Sequence, residues 1–108
     1  MVYLSGDPLL SNNLSRALPL IMRAGKPTLA TYVEFARAGV LMTYASDLLD
    51  GYRRAGIYAG KVIKGAKPGD LPIEQPTKFT LAINAKTAKQ LSISIPPALQ
   101  VAADELIE

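Results

Sequence analysis

Seven side chains able to bind or move protons stand at the ends of apolar runs in this chain. Ser5 and Asp7 follow "VYL" (Val2 to Leu4). Tyr32 closes "TLATY" (Thr28 to Tyr32) and Glu34 follows it. Tyr44 closes "VLMTY" (Val40 to Tyr44), with Ser46 and Asp47 just beyond. Glu34 and Asp47 are of the type that can share acid–base work. They lack the company that catalysis needs, since no nucleophile, third group or substrate motif accompanies them. The chain contains neither His nor Cys, which removes imidazole and thiolate chemistry, disulfides and zinc sites of the usual kind. No phosphate-binding loop, dinucleotide glycine fingerprint or metal-ligand spacing is present. The residues therefore predict no enzyme, no cofactor and no metal. What remains is binding.

Three apolar runs ending in polar loops have a physical meaning in an α/β protein. In open α/β sheets, ligands sit beyond the carboxyl ends of the strands. If the three strands are parallel, "SGDP", "VEF" and "ASD" emerge at one edge, and Ser5, Asp7, Tyr32, Glu34, Tyr44, Ser46 and Asp47 form a candidate ligand-binding set. A plainer assignment stands beside this one. Asp7 and Ser46 also suit ordinary helix caps, and Tyr32 and Tyr44 suit strand-end core positions.

The elements that would carry these residues follow from periodicity. Asp7 and Pro8 begin a helix whose apolar positions are Leu10, Leu14, Ala17, Leu18 and Ile21, with a bend expected at Pro19. Gly25 and Pro27 stop it. "VEFARAG" leaves room for one helical turn between strands. Only about seven residues separate those strands, short for a parallel crossover. They are either non-adjacent or joined by a very tight helix. Ser46 is expected to cap a long helix with Asp47 and Asp50 at its start and basic residues later, as the helix dipole favours. Leu48, Tyr52, Ala55, Ala59 and Val62 make its apolar stripe, and Gly56 and Gly60 leave a flank for close approach.

Beyond Gly65, "LPIEQP" is extended and fenced by prolines. "KFTLAIN" is a strand, Asn84 caps a short helix over 85–91, and "IPP" opens a last one. The order is an α/β pattern. The chain has 108 residues, enough for a single α/β domain over 1–108 with one modest core.

Charge and hydropathy narrow the partners. A net charge of +3, spread along the chain, points to no nucleic acid. No window reaches the ~18–20 apolar residues of a membrane span, so no membrane insertion is expected. The start "MVYLSGDPLL" has no basic segment or cleavage site, and by itself predicts a cytoplasmic chain.

Longer motifs carry a more specific signal. "SGDPLLSNN", the run from "EFARAGVLMTYASDLLDGYRRAG" through "GAKPGDLPIEQPTKFTLAINAKTAKQL", and the tail "IPPALQVAADELIE" span nearly the whole chain. In them the sequence resembles the C-terminal part of ABC-transporter substrate-binding proteins, in the group related to tryptophan and tyrosine transport. Ser92 departs from that family's pattern, which has glycine there. The resemblance implies a truncated portion of a periplasmic-binding-protein lobe, Rossmann-like with a mostly parallel sheet and flanking helices, and a periplasmic location. It also implies a small-molecule solute such as an aromatic amino acid, an ABC permease as partner, and no catalysis. A portion of one lobe offers a solute only one wall of a cleft, and its exposed sheet edge invites a homo-oligomer. The competing expectation is a stand-alone, self-associating structural or interaction module that binds no solute.

Overall fold

A computed structural model describes Met1–Glu108. Five short strands, β1 (Val2–Leu4), β2 (Thr28–Ala30), β3 (Met42–Ser46), β4 (Phe79–Asn84) and β5 (Glu105–Ile107), form one sheet in the order β1-β2-β3-β4-β5. β1 runs parallel to β2 with Val2 opposite Thr28, and β2 runs parallel to β3 with Leu29 opposite Met42. β4 and β5 are also parallel, with Ala82 opposite Glu105. Between β3 and β4 the direction reverses. Asn84 N–H donates to Leu41 O, while Asp47 N–H donates to Lys78 O, so one strand ascends as its neighbour descends.

The tight-helix alternative for the short crossover is the one adopted. β2 and β3 are adjacent, joined by α3 (Val33–Ala38), a helix of six residues. Gly39, at φ 128°, ends it in a conformation closed to most L-residues. Phe35 and Ala36 turn into the core and Val40 follows them. Thr28 Oγ1 accepts from Leu41 N–H, and Thr87 Oγ1 donates to Gly39 O, so this buried connection keeps its polar groups paired.

The first long helix breaks earlier than its proline suggests. α1 (Pro8–Asn12) and α2 (Leu14–Met22) part at Asn13, not at Pro19, which lies inside α2. Asn13 leaves the helical region, and its amide Nδ2 donates to Leu9 O at 2.8 Å, competing with the backbone ladder. Pro19 is exposed, where the carbonyl it leaves unpaired can meet water.

Chain contacts divide the protein into two units, Met1–Ala45 with Thr80–Glu108, and Ser46–Phe79. The core of the first is Leu4, Leu18, Ala30, Phe35 and Val40, flanked by Val2, Leu10, Leu14, Ile21, Met22 and Tyr32. α5 (Ala85–Gln90) and α6 (Pro97–Ala102) complete this unit. The tail expected after α6 is a strand, β5. Its pairing with β4 lies far away in sequence, so periodicity could not reveal it.

The second unit is α4 (Leu48–Ile63) with its return segment, which includes a 3-10 turn at Pro68–Asp70. No residue of α4 is buried. Its apolar stripe stands at the surface, with Tyr52 69% exposed, and a Cβ added at Gly56 or Gly60 would meet no other element within 4 Å. Polar bonds hold the return segment instead. Tyr58 Oη donates to Pro72 O at 2.8 Å, and Arg54 reaches Asp50, Glu74 and Thr77. No helix is long and apolar enough to cross a membrane.

Candidate functional site

β1 and β2 are parallel neighbours, so the loops that follow them leave at the same end of the sheet. In the first loop, Asp7 adopts extended backbone and its Oδ1 accepts from Leu9 N–H at 2.8 Å. Pro8 starts α1 without a donor to satisfy. The cap expected from sequence is therefore present, and it uses one carboxylate oxygen. Ser5 is exposed beside it.

In the second loop, Tyr32 precedes α3. Its ring stacks on Phe35 with centroids 6.0 Å apart, and its Oη stands 3.4 Å from Gly6 O. The two loops thus touch through Tyr32 and Gly6. Glu34 is exposed in the first turn of α3, where its charge suits the positive end of the helix. Ser5, Asp7, Tyr32 and Glu34 therefore come from adjoining loops of one unit. Tyr44 lies on β3 with 57% of its surface exposed, on the side opposite the buried Thr43. It is not a core residue.

Ser46 and Asp47 belong to the second unit. The capping role expected of Ser46 falls to Asp47, whose side chain accepts from Asp50 N–H at 3.1 Å. Ser46 is still in strand conformation as the last residue of β3, one position too early. The Asp47 Oδ2 ion-pairs with Lys78 at 2.7 Å. Hydrogen bonding from Lys78, then from Asp50 N–H, holds the Asp47 carboxyl below the usual carboxylate range. Both oxygens of Asp47 already have protein partners.

Sequence reasoning missed an open, mainly apolar groove of about 650 Å³ along α1 and α2, with Asp7, Leu9, Asn13, Arg16 and Leu20 among its lining. Leu9 and Leu20 are 75% and 68% exposed. Their apolar character on the outer face was the available signal, and the helical pattern alone assigned it no use.

The family described as ABC transporter substrate binding protein matches residues 3–107. This chain belongs to that family. As an ABC substrate-binding family member, it shares the fold of several solved structures. One, an ABC domain in complex with L-Trp from Streptococcus pneumonia, is 25% identical with a TM-score of 0.88, over 97% of this chain and 36% of that one. A conserved domain protein from Vibrio cholerae is 21% identical with a TM-score of 0.86, over 96% and 35%. A substrate-binding protein with adhesive properties from Clostridium difficile, in a ligand-free, open structure, is 16% identical with a TM-score of 0.65, over 97% and 35%. The substrate-binding family member described here thus spans about a third of the length of these structures. No curated protein matches it significantly. The family is one of transport components, not of enzymes.

Proposed function

We propose that the first unit forms part of the wall of a solute-binding cleft for an ABC uptake system, with an aromatic amino acid or similar small molecule as solute. The adjoining Ser5–Asp7 and Tyr32–Glu34 loops carry this reading, because they gather the Ser5 hydroxyl and the Asp7 and Glu34 carboxylates at one sheet end. Asp7 is suited to a solute ammonium. Its Oδ1 is spent on the α1 cap, while the other oxygen has no hydrogen bond within the protein. Tyr44 offers an exposed aromatic face on β3. The L-Trp complex of the Streptococcus pneumonia structure supports an amino-acid solute. Membership of the family supports an ABC permease as partner and a periplasmic location. Catalysis has no place in this reading.

The test is an NMR titration of the isotope-labelled chain with L-tryptophan into the millimolar range. One wall of a cleft buries less of a ligand than the usual 70–90%, so weak binding is expected. Amide shifts should concentrate at residues 5–9 and 31–35, and Asp7→Asn, which keeps the cap, should weaken the binding. Shifts confined to other regions, or none at all, sink the reading.

A second reading rests on the edge position of β1 in the sheet. Two copies joined edge to edge would satisfy the open side of β1 and need no solute.

A further inference from the structure

We propose that Tyr32 is a positioning residue. It holds the β1–α1 loop so that Ser5 and Asp7 stand where a solute meets them, and it makes no solute contact of its own. The inference rests on the solute-binding reading above. Its basis is the space around Gly6. A Cβ built there would lie 2.8 Å from Tyr32 Oη, 2.9 Å from Tyr32 Cε2 and 2.9 Å from Thr31 Oγ1. Real Cβ atoms do not approach other atoms this closely, so a side chain at residue 6 would force the loop or the Tyr32 ring to shift. The contact is between two segments twenty-six residues apart in sequence.

Tyr32 is itself fixed from behind. Its ring stacks on Phe35, which is 2% exposed, and packs against the core of the first unit. A rigid ring anchored to the core is a firm stop for a loop. The Oη to Gly6 O distance of 3.4 Å is long for a hydroxyl hydrogen bond, so the ring's shape restrains the loop more than that bond does. Thr31 Oγ1 is buried without a hydrogen-bond partner, which means the turn keeps this tight approach despite a polar cost. Asp7 follows Gly6 directly, and any shift of Gly6 moves its carboxylate. Precise placement of binding groups by a second layer of packed side chains is how sites gain affinity.

The experiment uses the full chain and reads the loop with and without L-tryptophan. In the ligand-free protein, hydrogen exchange at the amides of residues 5–9 should rise about tenfold in Tyr32→Leu, with β2 amides unchanged. Tyr32→Phe keeps the ring and its stack on Phe35. It should raise loop exchange only about threefold, at an unchanged global unfolding midpoint, and it keeps the test valid if Tyr32→Leu does not fold. Gly6→Ala should shift the loop amides in the wild-type background and shift them less in the Tyr32→Leu background. Unchanged loop exchange in Tyr32→Leu, or Gly6→Ala accepted with wild-type loop shifts, overturns the proposal. With L-tryptophan added, Tyr32→Leu should weaken binding in step with loop exchange. Binding lost while loop exchange stays at the wild-type value also overturns it, and makes Tyr32 a direct contact. A wild-type chain that ignores L-tryptophan contradicts the solute reading, while the ligand-free exchange still decides the positioning role.

Discussion

The Asn84 side chain joins two helices that are far apart in sequence. Its Nδ2 donates to Ala36 O in α3 at 2.9 Å, while its Oδ1 accepts from Thr87 N–H to cap α5. Asn84 is 4% exposed, so neither partner can turn to water when this side chain is removed. Asn84→Ala should lose the cap and strand a buried carbonyl, costing about 2–4 kcal/mol. Asn84→Asp retains the capping acceptor but sets a carboxylate oxygen against the Ala36 carbonyl. It should be destabilised near neutral pH and regain stability as acid protonates the new carboxyl, which can then donate. Urea unfolding at two pH values measures both effects. A loss below about 0.5 kcal/mol for Asn84→Ala would show that the two bonds contribute nothing.

Half of this arrangement was legible in the sequence. An asparagine three residues before Thr87, after an apolar strand, announces a cap, as Asp7 before Pro8 does. Caps are local, and local chemistry can be read in order along the chain. The bond from Asn84 to Ala36 depends on how β4 lies beside β3, which no periodicity records. The same limit hid β5, since Glu105–Ile107 becomes a strand only by pairing with β4. Pro19 misled for another reason. Proline costs a helix little where the freed carbonyl meets water, whereas the side chain of Asn13 actively competes for a backbone acceptor. At the candidate site, the residue types at the strand ends were readable. The close approach of Tyr32 and Thr31 to Gly6 was not, because a glycine gives no sign of what presses on it.

Ser92 stands where the resemblance drawn from the sequence expects glycine. It is the one non-glycine residue with positive φ, at 56°. Ser92 N–H donates to Lys89 O and Ile93 N–H to Ala88 O, closing α5 with the paired bonds of a Schellman motif. A left-handed L-residue costs about 1–2 kcal/mol, partly offset in any glycine variant by greater freedom of the unfolded chain. Ser92→Gly should therefore stabilise the protein by about 0.5–1 kcal/mol. The expected sign is a higher urea midpoint at unchanged m value. A lower midpoint would mean that the serine hydroxyl stabilises this turn in a way its backbone angle does not reveal.

Acid should weaken the fold through its paired carboxylates. A two-pronged hydrogen bond from Arg37, at 2.9 and 2.8 Å, holds Glu105 below its ordinary value. Arg53 first and then Arg54 do the same for Asp50, and Lys78 does it for Asp47. Each group binds its proton less readily folded than unfolded. Their contribution is thus complete above about pH 4.5 and is lost as pH falls through the lowered folded values. Glu105→Gln should flatten the acid limb of a stability–pH curve. Because Arg37 is 57% and Glu105 33% exposed, about 1 M salt should blunt the difference between variant and wild type. Superimposable acid limbs at low salt would show that the Arg37–Glu105 pair does not couple folding to pH.

The edge of the sheet supplies a test of self-association. β1 pairs with β2 alone, and Val2 N–H donates to Pro27 O, so Val2 faces its neighbour. Strand alternation then turns the N–H and C=O of Tyr3 to the open side. Tyr3 is 59% exposed, and no charged residue lies within β1 to discourage another strand. Two copies meeting there would pair antiparallel about a two-fold axis, as symmetric dimers do. The informative substitution is Tyr3→Lys. Leu4 cannot serve, since it is 2% exposed and a lysine there would disrupt the core before it reported on any edge. Light scattering across a micromolar series should show wild-type mass rising with concentration. Tyr3→Lys should shift that rise to concentrations at least about tenfold higher. A wild-type chain that stays monomeric at high micromolar concentration removes the edge-pairing reading. So does a dimer that Tyr3→Lys leaves untouched, because its contact would then lie away from β1. The exposed stripe of α4, with Tyr52 at 69%, would become the next surface to substitute.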